Sequence, residues 1–163
     1  GAENAGLHRD DRSDPFRFSG RISGMTCIKP LAITWIATLA VFLALDAFWL
    51  GVAGGSIYRD ALGGLMLDGF RVIPALLFYA LHVTGIVVFV LPLGRQRASL
   101  WAAAGFGAFF GLCAYGTYDL TNHAVLLVWT WQLTVTDMAW GAFVTAAASA
   151  AGAFARSRFP PTR

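Results

Sequence analysis

Residues Ala114–Trp140 read AYGTYDLTNHAVLLVWTWQLTVTDMAW, and the rest of the chain is organised around them. The stretch holds two acids, Asp119 and Asp137, in a setting that is otherwise almost wholly apolar, aromatic or uncharged polar. Both lie in or at the edge of segments long and greasy enough for lipid. A charged side chain near the centre of a membrane helix costs roughly 2.5–3.5 kcal/mol on insertion scales, and such groups face a bundle interior or a cavity. The two carboxyls are therefore the first residues to suspect of a role.

Composition agrees with a membrane setting. Of the 163 residues, 57% are hydrophobic and 13% charged, against about 25% charged in soluble domains. The mean hydropathy is +0.61. A pI near 9.2 invites a nucleic-acid reading, but no basic helix with interleaved aromatics is present, and basic residues flanking apolar spans report orientation instead. Nucleic acid is therefore not an expected partner. Cys27 and Cys113 cannot make a disulfide framework, and Cys113 reads as a buried structural thiol. No CxxC, HExxH or Gly-rich phosphate loop occurs, so no metal site and no particular cofactor is indicated.

Residues 1–24 differ from the rest of the chain. Arg9, Arg12, Arg17 and Arg21 balance Glu3, Asp10, Asp11 and Asp14, and no apolar period is sustained. This segment reads as a disordered extension, either a native upstream stretch or a foreign addition, and the sequence from Met25 reads like a natural start. Residues 25–155 form the membrane domain, and 156–163 a short basic tail. Four apolar spans are predicted over about 31–53, 72–92, 100–120 and 133–154, each near the roughly 20 residues a bilayer needs. The expected fold is an all-α bundle of four transmembrane helices.

Past residue 24, the side holding both termini and the loop after the second span carries Lys29, Arg95, Arg97, Arg156, Arg158 and Arg163, while the other side carries Arg59 and Arg71. The positive-inside rule then places both termini in the cytoplasm. The five remaining acids, Asp46, Asp60, Asp68, Asp119 and Asp137, all map to the outer half or outer loops. In the first outer loop, Ile57, Ala61, Leu62 and Leu65 recur at helical spacing. That is either a short interfacial helix or a plain surface loop. The second outer connection, 121–132, contains the apolar run HAVLLVWTW and reads as a re-entrant piece, an interfacial piece or the start of the fourth span. Gly107 and Gly111 in the third span, with Gly141, Thr145, Ser149 and Gly152 in the fourth, predict close packing of those two helices.

Chemistry is expected in the outer leaflet. Asp46 lies about 10 Å inside the end of the first span at 1.5 Å per residue. Asp119 and Asp137 reach a similar level from the third and fourth spans. Asn122 shares a helical face with Asp119, and Tyr115 and Tyr118 lie on or beside it. Trp49 and Trp140 each follow an Asp by three residues on the same helix, so each indole is expected near its own carboxylate. One reading is an outward-opening pocket in which these groups converge to serve as acid, base, cation ligand or proton relay. The other is structural: each Asp caps a helix end or accepts hydrogen bonds from Trp, Tyr and backbone N–H. Asp46 is the least cap-like, being flanked by apolar sequence on both sides. His82, mid-span, is either a site residue or a neutral imidazole bonded to a neighbour. His123 reads as solvated or interfacial.

The runs LDAFWLG (45–51), IYRDALGGLM (57–66), AYGTYDLTNHAVLLVW (114–129) and TDMAWG (136–141) together resemble the DUF2177 family of small bacterial membrane proteins. The resemblance spans residues 31 to 152 and implies a four-helix inner-membrane protein, with no particular reaction. The matching positions are Asp46, Trp49, Tyr58, Tyr118, Asp119, Asn122, Trp129, Asp137 and Trp140. Thr130 stands where the family pattern has Pro, and His82 where it often has an aromatic.

Two classes of function remain open. One is a membrane-embedded enzyme or accessory acting on lipid or another apolar substrate, with Asp46, Asp119 or Asp137 as the working group. The other is a non-enzymatic membrane subunit, or a small oligomeric transport or proton-conducting unit built from several copies or with a membrane partner protein. Four helices are few for a complete monomeric transporter, and internal repeats are not evident.

Overall fold

A computed structural model describes residues 24–53, 57–97 and 99–159, with only the backbone for 24–27 and 53. The extension read over residues 1–24 lies outside this range, apart from Gly24, as does the end of the basic tail. Among the described residues the fold is helical throughout, without strands. The helices are α1 (Gly24–Ala53), the single turn α2 (Arg59–Leu62), α3 (Val72–Gly85), α4 (Leu91–Gln96), α5 (Leu100–Val125) and α6 (Trp131–Arg158). A wide π turn, Ile86–Val90, joins α3 to α4 without breaking the rod. Four stretches are long and apolar enough to cross a membrane: Ile28–Val52, Val72–Gln96, Leu100–Val125 and Trp131–Arg158. The chain is an all-α, polytopic membrane protein. The bundle has a termini end and a loop end, the latter with connections 54–71 and 126–130.

Local chemistry sets the helix limits. Ser99 accepts from the Ala102 N–H at 3.4 Å and opens α5. Thr130 accepts from the Leu133 N–H at 3.2 Å and opens α6. Each satisfies one of the orphan N–H groups of a first turn. The apolar run HAVLLVWTW is therefore divided. Its first residues finish α5, which ends at Val125, and Trp131 begins α6, so the connection is a short turn and not a re-entrant segment. Among the described residues of the other loop, the helical spacing yields a wide turn at Ile57 and Tyr58, the one turn of α2 and a 3-10 turn over Gly63–Leu65. Gly63 ends that helix with a φ of +49°, a conformation that glycine adopts at little cost.

The α5/α6 pair is the most intimate contact of the bundle, and α1 packs on the next face of α6. The predicted small-residue seam explains the closeness. A Cβ placed on Gly111 would strike the Gly141 carbonyl and the Thr145 side chain. The apolar core is Phe42, Val83, Ile86, Val87, Val90, Leu91, Val144 and Ala148. Pro92 follows the π turn; with no N–H and a ring that crowds the preceding turn, it is a local cause for the widened backbone. The two sides of that turn pack differently. α4 lies close along α5, whereas α3 lies against α1 and meets α5 through aromatic side chains, Phe78 and His82 on Tyr115 and His82 and Gly85 on Phe110. The backbones of α3 and α5 are therefore more widely spaced toward the loop end, with aromatic rings between them. Cys113 corrects its expectation, since it is exposed on α5. It stands two residues, about 200° of turn, from the inward-facing Gly111.

Candidate functional site

The loop end of the bundle holds a polar cluster built from four helices and the first loop. Asp46 on α1 is 7% exposed and Asp137 on α6 is 6% exposed. Asp46 accepts from Tyr79 of α3 at 2.6 Å and from the Trp140 indole N–H of α6 at 3.4 Å. Asp137 accepts from the Tyr58 hydroxyl, which in turn accepts from the Trp49 indole N–H of α1 at 3.3 Å. The indoles thus serve across helices: Trp140 reaches the acid on α1, and Trp49 reaches the acid on α6 through Tyr58. This reverses the expected pairing of each Trp with its own helix's Asp. An i, i+3 neighbour shares a face with the acid, but the indole N–H lies beyond the ring, toward the facing helix.

Tyr58 is the only part of the first loop to enter the cluster among the described residues. Burial, and then the charge of Asp137, hold its phenol above the usual tyrosine range. Its hydroxyl therefore stays a donor at all physiological pH values.

Asp119 on α5 has no exposed surface. Neither of its carboxyl oxygens finds a donor. Its carboxyl stands beside that of Asp137, itself an acceptor. Two carboxyl groups bond to one another only with a proton between them. Buried polar groups are rarely left without a partner.

Asp46, Trp49, Leu50, Tyr58, Phe78, Ala114, Tyr115, Tyr118 and Asp137 line a cavity of about 300 Å³. Its floor is the pair of buried acids. Its rim is Leu50, Phe78 and Tyr118, exposed by 52%, 41% and 57% on the sides of α1, α3 and α5. Beside this rim the Phe78 and Tyr115 rings meet edge to face, bridging α3 and α5.

Of the expected site residues, Asp46, Asp137, Trp49, Tyr115 and Tyr118 line this cavity. Trp140 and Asp119 stand behind it, against Asp46 and Asp137. Asn122 lies beside the Tyr118 hydroxyl and outside the lining. His82 sits deeper, bonded to Thr145 at 3.0 Å and ringed by Phe42, Phe78, Phe110 and Tyr115. His123 clamps the α5/α6 turn, 3.1 Å from the Thr134 hydroxyl and tilted against the Trp131 ring. Sequence reasoning missed Tyr79, and it had Tyr58 only through the family resemblance. A tyrosine one turn from His82 inside an apolar helix was the available signal, because a buried phenol requires a partner. Among the described residues, no three His, Cys, Asp or Glu side chains are grouped to hold a metal ion.

Fold and site together define a small multi-pass membrane protein with an acid-floored pocket. The chain belongs to the DUF2177 family, described as a predicted membrane protein, whose model matches residues 31–154. No curated protein and no solved structure matches it.

Proposed function

We propose that the chain provides a side-opening site for a lipid or another apolar ligand, and that its carboxyls work on that ligand as acid, base or cation ligand. The observation that carries this reading is the contrast between rim and floor. The exposed Leu50, Phe78 and Tyr118 surround an entrance at bilayer depth, and behind them lie Asp46 and Asp137, nearly closed to solvent. A tail can stay in the lipid while a polar head enters. Buried ionisable groups in a membrane helix point to a functional site in their own right.

The excess of basic residues at the termini end supports an inner-membrane protein of bacterial type with both termini in the cytoplasm. The cluster then belongs to the outer leaflet. Reporter fusions at the C-terminus and within 54–71 test the orientation; a cytoplasmic signal from the loop fusion would reverse it.

The functional test has two parts. Native mass spectrometry of the purified protein is expected to find a bound lipid or apolar molecule. Extracts of cells with and without the protein are expected to differ, and Asp46→Asn and Asp137→Asn should abolish that difference. If the Asn variants keep the cellular phenotype while only changes at Gly107 or Gly111 remove it, the carboxyls have no chemical role.

A further inference from the structure

We infer that the occupant of this pocket is an amphiphilic cation, an ammonium head group on an apolar tail, seated between the acids of α1 and α6. The inference rests on the pocket being a ligand site and adds the ligand's charge class. The groups that hydrogen-bond Asp46 and Asp137 (Tyr79, Trp140, Tyr58) are all neutral. Behind Asp137 stands Asp119, fully buried, its oxygens without a donor and its carboxyl toward another acceptor. Two such carboxyls must share a proton or have a positive charge nearby, and a cation seated against Asp137 supplies the second. The site is acid-rich, and an anionic head would be repelled there.

The class of cation is set by the walls. The acids are not grouped as a metal shell among the described residues, so a small ion would reach too few of them. The walls are instead aromatic: Trp49, Tyr58, Phe78, Tyr115 and Tyr118 surround the floor. Aromatic faces attract ammonium groups, quaternary ones above all, and do so most strongly where water is excluded. A cavity of about 300 Å³ is at the small end for ligand pockets. It takes a head group and leaves the tail outside at the Leu50–Phe78 rim.

Such a head can come from an ammonium lipid or from a free amphiphilic amine, and the test separates these sources. Wild-type protein in dodecyl maltoside micelles is titrated with dodecyltrimethylammonium and with dodecanoate, which is similar in tail and opposite in charge. Tryptophan fluorescence is the readout, since Trp49 and Trp140 border the site. In parallel, the protein is placed in phosphatidylglycerol nanodiscs with and without phosphatidylethanolamine. The cation is expected to give a saturable change with an affinity at least about ten-fold above that of dodecanoate, and Asp137→Asn to weaken it by about ten-fold, the least that a lost buried charge pair should cost. Asp46→Asn serves as the second variant if Asp137→Asn fails to fold. A response to phosphatidylethanolamine alone assigns the lipid source, a response to the free amine alone assigns the soluble one, and a response to both supports the shared head group. Equal binding of the two dodecyl probes, or no response to either ammonium compound, overturns the cation assignment. The side-opening site itself falls only if, in addition, no lipid or apolar molecule co-purifies.

Discussion

Trp49 and Trp140 stack face to face, ring centroids 4.6 Å apart and planes within 8° of parallel. Each then donates toward the acid carried by the other's helix. The stack locks α1 to α6 at the depth where their carboxyls need fixed positions. Neither acid is held by its own helix alone.

The stack predicts a coupling that single substitutions do not capture. Trp140→Phe removes a donor to Asp46 and part of the stack, and should cost about 1–2 kcal/mol. Trp49→Phe removes the donor to Tyr58 and should cost a similar amount. In a double-mutant cycle the pair should couple by about 0.5–1.5 kcal/mol. Denaturant unfolding in mixed micelles measures it, and additive effects would mean that the indoles act separately.

Tyr58 should tie stability to alkaline pH. Its phenol is held above the usual range, so the folded chain keeps a proton that the unfolded chain loses near pH 10. Stability from this group is full below about pH 10 and declines as pH rises further. Tyr58→Phe should remove that share of the alkaline decline. It should also cost about 1–3 kcal/mol at neutral pH, because Asp137 loses a donor and the Trp49 N–H an acceptor. Thermal unfolding of both proteins between pH 8 and 11 checks the sign.

Much of the bundle was legible because lipid imposes simple demands. Twenty-odd apolar residues per span and a small-residue seam were enough to place α5 against α6. The limits of the second outer connection were not legible, because apolar residues there belong equally well to a helix end or a turn; the Thr130 cap decided it. The three acids were found because charge is rare in such sequence. Their partners were harder to find. Tyr79 and Tyr58 enter through the packing of α3 on α1 and the path of a loop, which no periodicity records. The crossed indoles depend on how α1 and α6 face one another, a tertiary fact.

The seam predicts a sharp difference between neighbouring glycines. Gly111→Ala puts a methyl into the Gly141 carbonyl and the Thr145 side chain. With backbone in the way, the helices must part, at about 1–3 kcal/mol. Gly105→Ala meets open space on the same helix. It should be neutral or stabilise by up to about 1 kcal/mol through better helix propensity. Comparing the two by unfolding in detergent isolates the seam from propensity; equal effects would argue against it.

Asp119 separates stability from function most cleanly. It is fully buried, no donor reaches it, and it faces an acceptor. Asp119→Asn replaces one carboxyl oxygen with an N–H₂ group that can donate to Asp137 without the proton that two carboxyls must share. The variant should gain about 0.5–1.5 kcal/mol, the usual net worth of such a bond. Asp137→Asn is the contrasting case, since it weakens the acceptor that Tyr58 already serves, and it should lose stability. If Asp119 is kept for its role at the pocket, the stabilised Asp119→Asn protein should also show weaker ligand occupancy, a trade expected where a site holds a group against the interest of the fold. Unfolding free energy and co-purified ligand, measured on the same preparation, decide it: a destabilised Asp119→Asn protein with unchanged occupancy would assign Asp119 to the architecture alone.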